Sequence, residues 1–135
     1  MVYEEITLKN LTDVEDFKRG HITEQEIQQV TVQSVVDTGA HTLVISDDLR
    51  KQLGLQMRGT MPVRQADNKE IIVQIASAVE VHWKNRRMVC EPWIASDSGK
   101  ILLGAVPLEI MDLIVDPVQQ MLVGRHGNEQ FGYLY

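Results

Sequence analysis

Cysteine is nearly absent from this chain: Cys90 stands alone, so no internal disulfide can form and the staples on which many small secreted domains rely are missing. A reducing, cytoplasmic setting is the expectation. Basic charge is also scarce, with 13 Lys and Arg against 19 Asp and Glu and a formal charge of −6, a balance that repels phosphate backbones and anionic lipid. Nucleic acid and membrane surfaces are therefore not expected partners. The most apolar stretch, residues 101–115, is interrupted by Glu109 and Asp112 and falls short of the roughly 20 residues that a membrane helix needs. The first ten residues carry Glu4 and Glu5 and lack both the basic start and the apolar run of a secretory signal.

Cofactor chemistry is equally poor in signals. His21, His82 and His126 lie far apart, and with one cysteine there is no metal-ligand spacing, so neither a metal nor another cofactor is expected. Gly99-Lys100 lacks the glycine-rich loop that would cradle a phosphate. Cys90 follows Met88 and Val89 in a strand-like segment, where a small core residue is the simpler reading than a nucleophile.

What the sequence does contain is an ordinary globular composition, 44% hydrophobic and 24% charged over 135 residues, which suits one compact domain spanning residues 1–135. Segments rich in Val, Ile and Thr at residues 4–9, 26–36, 43–45, 61–65, 70–83, 87–95 and 113–123 predict a mostly β fold. Two short helices are expected. Ser46 caps the first, over residues 47–53, with Asp47 and Asp48 at its positive end and Gly54 as its stop; Pro107 opens the second, over residues 106–112. Hairpin turns are predicted at Ala66-Asp67-Asn68-Lys69 and at Lys84-Asn85-Arg86, and Arg86-Arg87 reads as a solvated turn. The tail, residues 124–135, looks detachable, although Phe131, Tyr133 and Tyr135 recur at strand spacing and could pair with something.

The informative stretch is Val35-Val36-Asp37-Thr38-Gly39-Ala40, followed after His41-Thr42 by Leu43-Val44-Ile45. A carboxylate set between two apolar strands is unfavourable unless hydrogen bonds hold it or its charge is used. Thr38 offers a hydroxyl to lock a tight turn, and Gly39 allows backbone to come close to the acid or to a ligand. Downstream, Ile101-Leu102-Leu103-Gly104 is an apolar strand ending in glycine just before the second helix. Together these segments resemble the retropepsin-like aspartic proteases, the retroviral enzymes and their single-domain bacterial relatives, over residues 30–123.

The resemblance implies a closed β-barrel of the acid protease fold, one lobe per chain, with Asp37 as the catalytic acid and Thr38, Gly39 and Ala40 completing its loop. It makes Ile101, Leu102, Leu103 and Gly104 the supporting strand, and Gln65, Ala66, Asp67, Asn68 and Lys69 the tip of a flap over a peptide substrate. This tip is polar where retroviral flaps are glycine-rich. Aspartic proteolysis needs two acids sharing a proton, and this chain has one Asp-Thr-Gly. Asp116-Pro117 does not match, and Asp97-Ser98-Gly99 sits in a polar cluster that reads as a surface loop. A two-fold homodimer would supply the second Asp37, with the tail available for dimer contacts. Ala40 withholds the hydroxyl that Ser or Thr would offer the carboxylate, which implies activity at mildly acidic to near-neutral pH. A catalytically silent dimer that binds extended peptides by strand addition is the alternative from another class, and a monomeric barrel with an incidental turn is a third. His41 could touch substrate or be a plain loop residue.

Overall fold

A computed structural model describes residues 1–95 and 99–134. The residues Ser96, Asp97 and Ser98, on which the surface-loop reading falls, lie outside the described part, as does Tyr135. Strand β1 (Val2–Asn10) runs directly into helix α1 (Leu11–Lys18), and a short 3-10 turn (Glu24–Glu26) precedes β2 (Gln29–Val36). Then follow β3 (Leu43–Ser46), α2 (Asp47–Gln52), β4 (Met57–Arg64), β5 (Glu70–Ala76), β6 (Val79–Trp83) and β7 (Arg86–Cys90). The chain continues through β8 (Trp93–Ala95), β9 (Leu102–Leu103), α3 (Ala105–Ile110), β10 (Leu113–Asp116) and β11 (Met121–Gly124).

The fold is mostly β, as the Val, Ile and Thr content implied. Nine strands form one sheet in the order β4-β5-β8-β3-β9-β2-β1-β6-β7, and β10 and β11 form a separate hairpin. Strand β1 lies antiparallel to β2 along nearly its whole length, from Val2 opposite Val36 to Lys9 opposite Gln29, while Thr7 to Asn10 also pair with β6. Alternation decides which side chains enter the core: Ile6 and Leu8 point inward with Val79, Val81, Leu43, Ile45, Leu53 and Leu103. Each such side chain contributes about 1.5 to 3 kcal/mol by leaving water. The sheet is a curled half-barrel: its ladder ends at β4 and β7, and no pairing among the described residues joins them.

Several boundaries differ from the sequence reading for local reasons. The single strand expected over residues 70–83 is two, because Ser77 leaves the ladder to exchange bonds with Gln56: its N–H donates to the Gln56 carbonyl at 2.7 Å, and its hydroxyl accepts from the Gln56 N–H at 3.1 Å. The strand expected over residues 87–95 breaks at Pro92, which has no N–H to offer, while its carbonyl accepts from Ala76 N–H at 3.0 Å. Residues 113–123 form a hairpin, turned by the Asp116 side chain, whose Oδ1 accepts from the N–H groups of Val118 and Gln119. Helix α2 follows expectation: Ser46 Oγ accepts from Leu49 N–H at 3.2 Å, and Gly54, at φ +66°, ends it.

The tail forms no strand over residues 125–134; it folds back onto its own chain. Arg86, read from sequence as part of a solvated turn, is instead 2% exposed and donates from Nη2 to the Gly127 carbonyl at 2.7 Å. Asn85 donates to the Asn128 carbonyl, Gln130 donates to the Ile110 carbonyl, and Arg87 N–H donates to Gln130 Oε1. His126 bonds to the buried carboxylate of Asp112 at 2.8 Å, and Phe131 and Tyr133 pack around its ring. Within this chain, Phe131 and Tyr133 of the tail thus belong to a side-chain cluster around His126.

Candidate active site

Asp37 follows the last residue of β2, and the short strand β9 fixes where it stands. Strand β9 lies between β2 and β3, parallel to the former and antiparallel to the latter, with Val36 beside Leu103. The Val35 N–H donates to the Ile101 carbonyl at 2.7 Å and the Asp37 N–H to the Leu103 carbonyl at 3.0 Å, so the supporting strand holds the acid's backbone. Ile101, Leu103 and Gly104 are buried and Leu102 is half-buried, which suits a scaffold rather than a contact surface.

Beyond Asp37 the chain makes a tight turn. Ala40 N–H donates to the Asp37 carbonyl at 3.0 Å, and Gly39 N–H donates to Asp37 Oδ1 at 2.9 Å, so one carboxylate oxygen is held by the loop's own backbone. A Cβ on Gly39 would come within 3.2 Å of that oxygen. The loop is then stitched to α3: Ala105 N–H donates to the Ala40 carbonyl at 2.8 Å and Val106 N–H to the His41 carbonyl at 3.0 Å. Gly104 makes this approach possible. A Cβ there would sit 2.5 Å from the Thr42 carbonyl oxygen and 2.6 Å from that of Ala40. The sequence reading placed Asp37 between apolar strands, but within one chain the residue is half-buried, and Thr38 and Gly39 are exposed.

Facing the loop across a cleft of about 1100 Å³ is the β4–β5 hairpin. The tip is ordered by side chains in place of glycine: Asn68 adopts φ +69°, Lys69 N–H donates to Asp67 Oδ1 at 3.0 Å, and Arg64 donates to Asn68 Oδ1 at 3.3 Å. Of the expected tip residues, Gln65 and Ala66 line the cleft, while Asp67, Asn68 and Lys69 are exposed and do not. Of the expected loop residues, Gly39 and Ala40 line it; Asp37 and Thr38 lie alongside.

The remaining walls include residues that sequence reasoning did not single out: Val44, Met61, Val63, Ile71, Val73, Trp93 and Ile94. Alternation within β4, β5 and β8 carried that signal, but it showed only as ordinary half-buried strand pattern. His41, which had been weighed against a plain loop role, lines the cleft with its ring stacked on Trp93 at 5.5 Å between centroids.

Cys90, the last residue of β7, is no nucleophile candidate in this setting. Burial pushes its thiol up to about 12, against the smaller opposing effect of a hydrogen bond from Thr42, with the Glu91 charge adding to the rise. Among the described residues, no group of three or more His, Cys, Asp or Glu could hold a metal ion. No helix among them is long and apolar enough to cross a membrane.

A family model described as gag-polyprotein putative aspartyl protease matches residues 23–109. Among solved structures, the retroviral protease-like domain of Ddi1 from Leishmania major matches with a TM-score of 0.53 and 13% identity, covering 91% of this chain and 88% of that one. At that identity the likeness speaks for the fold alone. No curated protein matches the sequence. The family match runs from the turn before β2 to α3 and so takes in the Asp37 loop, the hairpin and the supporting strand; the chain belongs to the retroviral-type, retropepsin-like aspartyl protease family.

Proposed function

We propose that the protein is a homodimeric aspartic endopeptidase in which Asp37 and its symmetry mate form the catalytic dyad. The observation that carries this reading is the Asp37 loop itself: an acid tied to Gly39 N–H at 2.9 Å, half-buried in one chain, at the edge of a cleft that could take an extended peptide. One chain offers one such loop, and two-fold symmetry places the same residue across the axis. In this reading each chain is a single domain forming one lobe, its curled sheet completing one barrel, and the tail after Gly124 takes part in dimer contacts. The lone cysteine suits a reducing, cytoplasmic setting.

The chemistry follows from two like charges sharing a site, where one acid keeps its proton. The ionised Asp37 takes a proton from a water held between the carboxyls, and that water attacks the scissile carbonyl. The protonated partner supports the developing oxyanion, and a proton then passes to the leaving nitrogen. No covalent acyl-enzyme forms. Thr38 bonds across the axis, Gly39 meets substrate backbone, and the hairpin tip around Gln65 and Ala66 closes over the peptide and excludes water. Ala40 leaves the carboxylate without a side-chain hydroxyl donor at that position, so activity is expected at mildly acidic to near-neutral pH.

A second reading keeps the fold and drops the chemistry. Strand β4 ends the sheet, and its outer edge can accept an added strand, which suits a silent peptide-binding dimer. Asp37→Asn separates the two: under the endopeptidase reading, cleavage of a peptide library followed by mass spectrometry disappears while peptide binding remains. Cleavage that survives the substitution contradicts the proposal, and binding by a wild-type protein that never cleaves favours the silent dimer.

A further inference from the structure

The protein is net acidic at −6, yet among the described residues the ionisable side chains lining the cleft wall are His41 and Arg64, with the Asp37 carboxylate at its edge beside Gly39. Between them the walls are mostly apolar, with Val44, Val63 and Ile94 among them. His41 is held on both sides of this contact: its carbonyl accepts from Val106 N–H at 3.0 Å, and its ring lies on Trp93 with an interplanar angle of 24°. Trp93 is itself fixed in the sheet, opposite Val44 of β3 and Ile75 of β5.

An imidazole stacked by its face presents its nitrogens at the ring edge, and in either neutral tautomer one of them is an N–H donor. Such a donor on an ordered platform needs little further ordering to meet an acceptor. Arg64 contributes a fixed positive charge on the opposite hairpin, shared with Asn68 at 3.3 Å and loosely with Glu70 at 3.9 Å. A substrate lysine or arginine beside this face would meet the like charge of Arg64, whereas a carboxylate finds both that charge and the imidazole N–H.

We propose that His41, stacked on Trp93, is a specificity-determining residue that selects peptides in which an acidic side chain flanks apolar residues. This rests on the reading of the cleft as a peptide site. The Asp37→Asn protein isolates binding from chemistry, so the test is its affinity, by fluorescence anisotropy, for labelled peptides with a central apolar pair and Glu, Gln or Lys at each flanking position in turn. At one flanking position the Glu peptide is expected to bind roughly tenfold tighter than the Lys peptide. Adding His41→Ala is expected to bring that ratio to within about twofold, and His41→Gln, which keeps a donor, to restore part of it.

A ratio unchanged by His41→Ala, no preference at any position, or no binding at all would overturn the proposal. Circular dichroism on each variant guards against an unfolded control, and Trp93→Leu, which removes the platform, should weaken the preference as His41→Ala does. Cleavage by wild-type protein is scored separately. Cleavage without discrimination removes this inference and leaves the endopeptidase reading standing; discriminating binding without cleavage does the reverse.

Discussion

At Gly104 the chain has no space for a methyl group, because the Thr42 and Ala40 carbonyl oxygens stand 2.5 and 2.6 Å from where a Cβ would be. The Ala40 carbonyl is itself bonded to Ala105 N–H, and Thr42 follows His41, whose carbonyl accepts from Val106 N–H, so neither can give way cheaply. Gly104→Ala should therefore cost about 3 kcal/mol of stability, read as a lowered urea midpoint, and should disturb the Asp37 loop before the rest of the sheet. Glu80 is a second residue whose worth can be measured. Burial acts to raise its carboxyl, but hydrogen bonds from Arg87 at 2.9 Å and His82 at 2.6 Å outweigh that and hold it below the usual range. A depressed carboxyl stabilises the fold above its unfolded value of about 4.3 and loses that contribution as pH falls through the lower folded value. Arg87→Met should cost about 1.5 kcal/mol near neutrality, with the difference from wild type shrinking in urea melts as pH falls below the ordinary carboxylate range. Asp37, Gly39 and Gly104 could be picked out from sequence because their residue types are unusual next to apolar strands. Arg86 could not, since an arginine after a turn reads as solvated, and what buries it is the distant Gly127 carbonyl.

Among the elements, α1 is the one that the sequence reading missed. It has eight residues and buries only Val14, so its apolar periodicity is too short to register. What specifies it is Asn10, whose Oδ1 accepts from Asp13 N–H at 3.1 Å while its Nδ2 donates to the Leu53 carbonyl at 2.9 Å. That residue caps one helix and ties it to the end of another, so Asn10→Ala should cost about 2 kcal/mol, roughly a cap plus a buried hydrogen bond, measured by urea denaturation. Loss no greater than a few tenths would mean that the cap is incidental. The hairpins and α2 were legible because turn and cap chemistry is local: Ser46, Gly54, Asp67 and Asn68 act within a few residues of themselves. The break at Ser77 was not, because its cause is a bond to Gln56, some twenty residues earlier in the chain. Pro92 was a visible signal that alternation on either side concealed.

For the molecule as a whole, the sheet order explains how one short strand governs the site. Strand β9 has two residues, yet it lies between β2 and β3 and so sets the distance between the strand that ends at Asp37 and the strand that follows the loop. The β4–β5 hairpin reaches the rest of the sheet through Gln74 and Ile75 on β8, which leaves its tip projecting over the cleft. Fold class and the position of the loop were readable from the strand pattern and the two apolar segments. How far the sheet curls toward closure was not, because that depends on long-range pairing that no local pattern encodes. The shape of the cleft escaped for the same reason, since its walls come from loop, hairpin and β8 together.

The central claim is that hydrolysis requires an Asp37 from each of two chains. Subunits of wild type and Asp37→Asn, mixed and allowed to exchange at fixed total concentration, test it through the initial rate of peptide cleavage. If both acids are needed, only pure wild-type dimers act, and the rate follows the square of the wild-type fraction. A rate strictly proportional to that fraction would mean that each chain works alone, and the dyad would not exist.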